Sequence, residues 1–310
     1  MSGVDGVRIL PYSHVVGQPE LKLALELNYI APRIGGVLIS GQRGTAKSTV
    51  VRAFSLMTSD ELPVTLPINA TDDRVLGGWH LDALMQGEAR TQRGLLEEAD
   101  TKGMLYIDEV NLLDDHIVNI ILDVVSTGVL SVQREAIDTV RNLSFGLVGT
   151  MNPEEGGLRP QLLDRFGLMV AVSELDQELR RAMVMTVLRF DDEAATPSPW
   201  LAEGLAADRT LRDRLARARD SVPDVRLGED VVELCADIAT GLRAVGHRGE
   251  VVTAWAARAL AAFEGADEVT APHVRQVAPL SLRHRRPEAA HGGPVEWTEE
   301  ESELLDRLLG

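Results

Sequence analysis

The residues best suited to chemistry lie in one short segment, GQRGTAKS, at positions 41–48. Small residues there let the backbone turn tightly, so that consecutive N–H groups can surround an anion at the start of a following helix. Lys47 adds an ammonium beside that anion, and the Ser48 hydroxyl is a suitable ligand for Mg²⁺. The pattern predicts a phosphate-binding loop formed by Gly41, Gln42, Arg43, Gly44, Thr45, Ala46, Lys47, Ser48 and Thr49.

One position departs from the loop pattern, which has glycine immediately before the lysine where this sequence has Ala46. If that residue is helical, alanine costs nothing. If it must be left-handed, alanine costs about 1–2 kcal/mol, an amount that tight nucleotide binding can offset. A chance meeting of small residues between a strand and a helix is the third alternative.

Two further polar groups follow apolar runs that have the profile of buried strands. The run 103–108 ends in Asp108, followed by Glu109, and the run 143–149 is followed by Asn152. With such a loop, an Asp at a strand end holds Mg²⁺ through water, and an adjacent Glu can polarise the attacking water. Asn152 can contact the γ-phosphate and that water, or it is a turn residue before Pro153, and the sequence favours neither. The predicted metal ligands are Ser48 and Asp108.

Charge and composition exclude several classes of protein. The 310 residues carry a formal charge of −17, which repels nucleic acid and anionic membranes. The densest basic run, RHRR at 283–286, is expected to be a solvated helix end. No apolar run is long enough to cross a membrane, the N-terminus does not resemble a signal peptide, and the single cysteine, Cys235, suits the cytoplasm.

Short apolar runs alternate with helical stretches in the first half, at 35–40, 103–108, 143–149 and 167–172. This alternation predicts an α/β fold with a parallel sheet covered by helices on both faces. After about residue 175 the stretches read as helices. We therefore expect an α/β nucleotide-binding domain at 1–175, a smaller all-helical domain at 176–285 and an acidic tail at 286–310.

Three longer segments carry a resemblance to a known family. They are VVGQPELKLALELNYIAPRIGGVLISGQRGTAKSTVVRA, GLLEEADTKGMLYIDEVNLLDDHIVNIILDVVSTG and NPEEGGLRPQLLDRFGL. From about residue 11 to 285 the chain resembles the ATPase subunit I of magnesium chelatase and its cobaltochelatase relatives, in the AAA+ class. The resemblance implies an AAA+ P-loop NTPase with a five-stranded parallel sheet and a helical lid. Minichromosome-maintenance helicases, in a neighbouring branch, resemble this loop with Ala before the Lys.

The resemblance also implies roles for residues outside the loop. Arg165, in LLDRFG, matches the arginine finger that reaches a neighbouring subunit's γ-phosphate, although on sequence alone it could be a surface arginine paired with Asp164. Arg248 stands where the sensor-2 arginine is expected, with Arg243 as a competitor. The segment Val16, Gly17 and Gln18 matches the lining of the adenine pocket. Residues 75–96 and 130–145 correspond to a helix-2 insertion and a pre-sensor-1 hairpin.

The implied cofactors are ATP and Mg²⁺, and the implied partners are further copies in a ring (a hexamer), an integrin or von Willebrand-domain D-type subunit, and a large chelatase subunit. That large subunit would insert Mg²⁺ or Co²⁺ into a tetrapyrrole. The alternative is a MoxR-like chaperone acting on a von Willebrand-type protein. A nucleic-acid motor is disfavoured by the charge of −17.

Overall fold

The computed structural model describes residues 8–42, 44–79, 91–134, 137–290, 293 and 295–309. The helices in these ranges are α1 Pro19–Ile30, α2 Lys47–Ser59, α3 Asp72–Leu76, α4 Leu95–Lys102, α5 Asp115–Thr127, α6 Pro160–Leu163, α7 Gln177–Glu193, α8 Pro199–Ser221, α9 Glu229–Gly241, α10 Arg248–Glu264, α11 Ala271–Leu282, α12 Pro287–Ala290 and α13 Glu299–Leu309. The strands are β1 Val37–Ser40, β2 Val64–Leu66, β3 Gly77–Trp79, β4 Thr91–Arg93, β5 Met104–Ile107, β6 Val129–Arg134, β7 Ile137–Asn142, β8 Gly146–Met151 and β9 Leu168–Ala171.

The central layer is a five-stranded parallel sheet in the order β2-β5-β8-β1-β9. Every residue of β1, β5 and β8 is buried, as is typical of parallel strands covered on both faces. Because the strands are parallel, the residues that follow β1, β5 and β8 meet at one edge. That edge therefore brings together the loop after Ser40, the carboxylates after Ile107 and the amide after Met151.

The predicted α/β fold with a five-stranded parallel sheet and helices on both faces is confirmed. The four apolar runs seen in the sequence correspond to β1, β5, β8 and β9. The fifth strand, Val64–Leu66, has only three residues, with an exposed Thr65 between two buried side chains. So short a strand gives no distinctive apolar run.

The helices of the second half pack against the sheet domain. α8 contacts α1 and α10, α11 contacts β9, and one apolar cluster includes Leu21 of α1, Val37 of β1, Leu215 of α8 and Val252 of α10. The last helix, α13, lies on α9 and α11 with Leu305 buried. The acidic segment expected at 286–310 is therefore docked on the helical half over its described residues.

The expectation for RHRR at 283–286 is wrong. Arg283, His284, Arg285 and Arg286 are all buried, each at most 6% exposed. Their donors are paired with carbonyl and carboxylate oxygens, which makes burial of these charges tolerable. For His284 and Arg285 most of these oxygens lie about 120 residues earlier in the chain, so the local sequence gave no sign of them.

Two antiparallel pairs stand apart from the main sheet. β6 pairs with β7 in the segment predicted to form a hairpin at 130–145. Within the predicted insertion at 75–96, β3 pairs with β4, and residues 80–90 lie outside the described residues. Across the described ranges, the structure has no helix both long and apolar enough to span a bilayer.

Candidate active site

The predicted phosphate-binding loop connects the buried strand β1 to the N-terminus of α2, which begins at Lys47. Ala46 has φ 60° and ψ 16°, so the position is left-handed. Of the alternatives left open by the sequence, the structure therefore shows the one in which alanine carries a cost, about 1–2 kcal/mol. Gly44, at φ 81°, has no other atoms within 4 Å of where a Cβ would stand, so the loop is open at this point. Arg43 lies outside the described residues.

Lys47 lies over the loop. Its Nζ donates to the carbonyl oxygen of Gln42 at 2.8 Å and to that of Gly41. Partial burial lowers the pKa of Lys47, and the nearby carboxylates of Asp108 and Glu109 oppose that shift. The ammonium is thus held by loop carbonyls where an entering anion can replace them.

Ser48 and Asp108, the two predicted metal ligands, are joined by one intervening hydroxyl. The Ser48 Oγ lies 2.9 Å from the Tyr106 hydroxyl oxygen. The Tyr106 hydroxyl donates to Asp108 Oδ1 at 3.0 Å, and Thr150 Oγ1 donates to the same oxygen at 2.8 Å. Thr150 in turn accepts the backbone N–H of Glu109 at 3.1 Å. Hydroxyl and carboxylate oxygens are the ligands that Mg²⁺ prefers, so Ser48 and Asp108 fit the cation.

Tyr106 and Thr150 are site residues that sequence reasoning missed. Tyr106 precedes Asp108 by two residues and therefore lies on the same face of its strand. Ile107 pairs with Gly149 across the sheet, so continuing the register by one residue places Asp108 beside Thr150. Alternation along two neighbouring strands was the signal that could have identified both. Burial raises the pKa of Tyr106, which keeps its hydroxyl proton in place as a donor.

Glu109 and Asn152 stand at adjacent strand ends on the loop side of the sheet. Glu109 has φ 55°, a left-handed conformation that is rare for a residue other than glycine. The side-chain oxygen of Asn152 accepts the backbone N–H of Glu154 at 3.3 Å and caps the turn Pro153–Glu155. The turn role weighed for Asn152 is therefore present. Its amide nitrogen takes no part in that bond, so a second role toward a ligand is compatible with it.

A cavity of 340 Å³ adjoins the loop. It is lined on one side by Val16 and Gln18, which the sequence assigned to an adenine pocket, and on another by loop residues 44–46 and Thr49. Gly17 has φ 72°, and a Cβ there would come within 2.9 Å of Leu175. Its lack of a side chain lets this segment approach the chain that leads into α7.

The far wall of this cavity belongs to α7. Arg180, Met183 and Val187 line it, and no sequence pattern had singled them out. The cavity has the size of ordinary small-molecule sites. Together with the Lys47 ammonium and the Ser48–Asp108 oxygens, it suits a nucleoside triphosphate with a divalent cation.

Arg165 and Arg248 are not brought to this loop. A Cβ at Gly35 would lie 3.3 Å from the backbone oxygen of Arg165 and 3.5 Å from Arg248 Nη2, so both arginines lie near the start of β1. The four residues of β1 separate that point from the loop, which at about 3.3 Å per residue is about 13 Å or more. Arg243, the competitor of Arg248, is exposed on the surface.

The Arg165 side chain is one-third exposed and pairs with Asp123 of α5 at 2.8 Å. The pairing with Asp164 that the sequence left open for it is not found, because Asp164 pairs instead with Arg285 at 3.0 Å.

Comparisons with known proteins show which family the chain resembles. Residues 36–166 match the AAA domain (dynein-related subfamily), and residues 232–306 match the AAA lid domain. The magnesium-chelatase 38 kDa subunit of Cereibacter sphaeroides is 42% identical over 89% of this chain and 91% of its own length. That of Chlorobaculum tepidum is 38% identical over 96% of this chain and 85% of its own length. The magnesium-chelatase subunit ChlI of Cyanophora paradoxa is 39% identical over 89% and 90%.

Two solved structures are also similar to this chain. A chain in the cryo-EM-based complex between subunits BchI and BchD of magnesium chelatase is 36% identical, with a TM-score of 0.50, covering 96% of this chain and 99% of that one. A structure from Cytophaga hutchinsonii, 18% identical with a TM-score of 0.68 over 96% of this chain and 91% of that one, shows the shared fold. The chain belongs to the magnesium-chelatase I-subunit family of AAA+ ATPases.

Proposed function

We propose that this chain is a Mg²⁺-dependent ATPase that works as the motor subunit of a magnesium or cobalt chelatase. The observation that carries the proposal is the hydrogen-bonded connection from Ser48 through Tyr106 to Asp108, directly beside Lys47. It supports the proposal because an ammonium, a hydroxyl and a carboxylate then stand close to the N-terminus of α2, as binding of a magnesium-bound triphosphate requires.

Each residue has a role in this proposal. Lys47 and the loop N–H groups bind the β- and γ-phosphates, while Ser48 and Asp108 would hold Mg²⁺, whose charge offsets that of the phosphates. Glu109 accepts a proton from the attacking water, and the amide of Asn152 orients that water. Val16 and Gln18 line the 340 Å³ cavity, and together with Gly17 between them they form the segment that contacts the adenine.

Arg165 acts in another copy of the chain. It lies about 13 Å or more from its own loop, across β1, so it cannot stabilise the phosphate bound there. In a closed ring of identical subunits, the side of each subunit that carries Arg165 faces the phosphate-binding loop of the next subunit. The expected ring is a hexamer. Arg248 lies beside Arg165 and is proposed to reach the same neighbouring nucleotide as its sensor-2 residue.

The relatives support a proposal about the partners. The similar proteins are named magnesium-chelatase subunits, and one similar chain is in a complex of BchI with BchD. We therefore propose a D-type subunit with an integrin domain as the direct partner, and a separate large subunit that inserts the metal into a tetrapyrrole. The proposed compartment is the cytoplasm, where the free thiol of the buried Cys235 stays reduced.

We also propose that residues 1–175 form the nucleotide-binding domain and that the lid begins at residue 176. Its end is extended from 285 to 309. Support for the extension comes from the contact of α13 with α9 and α11, and from the lid-domain match, which continues to residue 306.

The hydrolysis mechanism is tested with Glu109→Gln. Because the amide cannot take up the water's proton, we expect nucleotide binding to persist while kcat falls by about 10²-fold or more. Fluorescent-nucleotide titration and phosphate release measure the two quantities. The exposed Glu233→Gln on α9 is the control and should match the wild type. Unchanged turnover in Glu109→Gln would show that another group is the base.

The chelatase assignment is tested by using tagged Glu109→Gln protein with ATP as bait in the native cell lysate. Recovery of a very large chelatase subunit with an integrin-domain subunit supports it. Recovery of a von Willebrand-type protein alone would replace the chelatase with a MoxR-like chaperone and leave the ATPase site as proposed. The same bait carrying Lys47→Ala controls for contacts that do not depend on nucleotide.

A further inference from the structure

The turn after α11 buries a guanidinium that no part of the proposed reaction uses. Arg285 is 1% exposed. Its Nε donates to Asp164 Oδ1 at 3.0 Å, and its Nη2 donates to the backbone oxygens of Asp164 at 2.7 Å and Phe166 at 2.8 Å. Its Nη1 donates to Gly167 O at 3.1 Å and to Ser281 O. One side chain from the helical half therefore holds four oxygens of a short segment in the sheet domain.

That segment contains Arg165. The carbonyls held by Arg285 come from the residues on both sides of it, 164, 166 and 167. His284 adds a second contact, because its Nε2 lies 3.0 Å from Phe166 O. Since a carbonyl can only accept, Nε2 carries the proton. The backbone of Arg165 is thus fixed before and after the residue, while its side chain remains one-third exposed.

We propose that Arg285, assisted by His284, is the positioning residue of Arg165: it fixes the backbone of residues 164–167 and thereby sets where the finger is presented to a neighbouring subunit's nucleotide. This inference rests on the proposed function, in which Arg165 acts in trans.

The chemistry of the contact requires an arginine. Four acceptors arranged around one planar group match the fixed fork of a guanidinium, whereas a lysine has three donors on a single atom and cannot reach them together. Burial lowers the pKa of Arg285 to about 10, so the group remains protonated at neutral pH. The charge is therefore available to the carboxylate of Asp164.

The same guanidinium links the finger segment to the proposed sensor-2 residue. A Cβ at Gly249 would lie 3.1 Å from Arg285 Cδ, so the start of α10 packs directly on this side chain. Arg248 is the adjacent residue and the first of α10. One buried side chain, Arg285, thus contacts both the segment that contains Arg165 and the start of the helix that begins with Arg248.

The test uses mixtures of two inactive chains. A donor chain with Lys47→Ala cannot hold nucleotide but offers its finger, and an acceptor chain with Arg165→Ala holds nucleotide but lacks the finger. Phosphate release by the mixture then measures finger delivery. Arg285→Lys is added either to the donor or to the acceptor. Arg283→Lys is the matched control, because Arg283 is equally buried in the same turn but contacts Pro279 and Glu20 instead.

We expect Arg285→Lys in the donor to reduce the restored kcat by about tenfold or more with KM nearly unchanged. In the acceptor the same substitution should have little effect, and Arg283→Lys should have little effect in either chain. Equal loss in donor and acceptor would mean that Arg285 only stabilises the fold, and no loss in the donor would overturn the inference. If the parent mixture itself restores nothing, the trans-acting finger fails, and the inference fails with it.

Discussion

At the scale of single residues, Ala46 shows how the loop tolerates a departure from its pattern. The residue is left-handed, at φ 60°, where a Cβ crowds the following carbonyl. Glycine would avoid that cost, and the entropy that alanine removes from the unfolded chain does not offset it at a left-handed position. A net cost of about 1–2 kcal/mol therefore remains with alanine, small enough for nucleotide binding to offset.

The left-handed conformation of Ala46 predicts different results for two substitutions. Ala46→Gly should change the Kd for ATP by less than about threefold, because glycine adopts the left-handed conformation readily. Ala46→Val should weaken binding by about tenfold or more, since a β-branched residue is a genuine outlier there. Isothermal titration with ATP measures both. Equal affinities for the two variants would mean that the left-handed conformation is not needed when nucleotide is bound.

The site was predictable from sequence where its residues are close together in the chain. The loop and the pair Asp108 and Glu109 are contiguous motifs, and the parallel sheet brings both to the same edge. Tyr106 was missed because a tyrosine within an apolar strand reads as core, and it is indeed fully buried. Arg285 was misread as solvated because all but one of its acceptors lie 118 to 121 residues earlier in the chain.

At the scale of secondary-structure elements, the turn after α11 connects the two halves of the molecule. His284 lies in that turn, wholly buried, and burial lowers its pKa well below the usual value. The neighbouring charges of Arg285 and Arg283 lower it further, while the hydrogen bond to Phe166 opposes them. The imidazole is therefore neutral in the folded protein. An uncharged imidazole that donates one hydrogen bond, to Phe166 O, fits this buried position.

The lowered pKa of His284 makes the stability of the fold depend on pH. Above about pH 6.5 the histidine is neutral in both the folded and the unfolded chain, so its contact contributes fully. Below that pH only the unfolded chain takes up the proton, and stability falls by up to about 1.4 kcal/mol per pH unit until the folded pKa is reached.

His284→Gln should remove this part of the pH dependence, because glutamine can still donate to Phe166 but does not titrate. Urea unfolding of both proteins from pH 7.5 to 5.5 measures the difference between them. The exposed His247→Gln should behave as the wild type. If wild type and His284→Gln lose stability in parallel, protonation of His284 does not contribute.

Long helices and strands could be predicted from the sequence, whereas very short ones could not. The strands with four or more apolar residues were found, while the three-residue Val64–Leu66 was not. The helix α7 was recognised as a helix, but its place beside the loop was not predicted. Its position beside the loop depends on contacts with the segment 15–18, across more than 150 residues, which no local pattern reports.

At the scale of the whole molecule, the loop and the two arginines lie at opposite ends of β1. Complementary groups on opposite sides of a chain allow its copies to bind head to tail. Such head-to-tail contacts close into a ring when the rotation between neighbouring copies allows it. ATP bound at one loop would then be contacted by the Arg165 of the next copy. Nucleotide binding and assembly are in that case linked, and each strengthens the other.

This linkage predicts ATP-dependent assembly that requires Arg165. Hydrogen bonds to a charged partner contribute about 1.5–3 kcal/mol, so MgATP should raise the association constant of Glu109→Gln protein by about 10- to 100-fold. Adding Arg165→Ala should remove most of that gain. Arg159→Ala serves as the control, because this exposed arginine lies in the same segment and pairs with Asp115 of its own chain.

Sedimentation velocity over a range of protein concentrations, with and without MgATP, gives the association constants. Arg159→Ala is expected to keep the gain, since its partner lies within the chain and its loss leaves the finger in place. A mass that does not respond to ATP would contradict the head-to-tail arrangement. An equal loss in Arg159→Ala and Arg165→Ala would show that the surface charge of this segment, and not a contact between the finger and phosphate, holds the copies together.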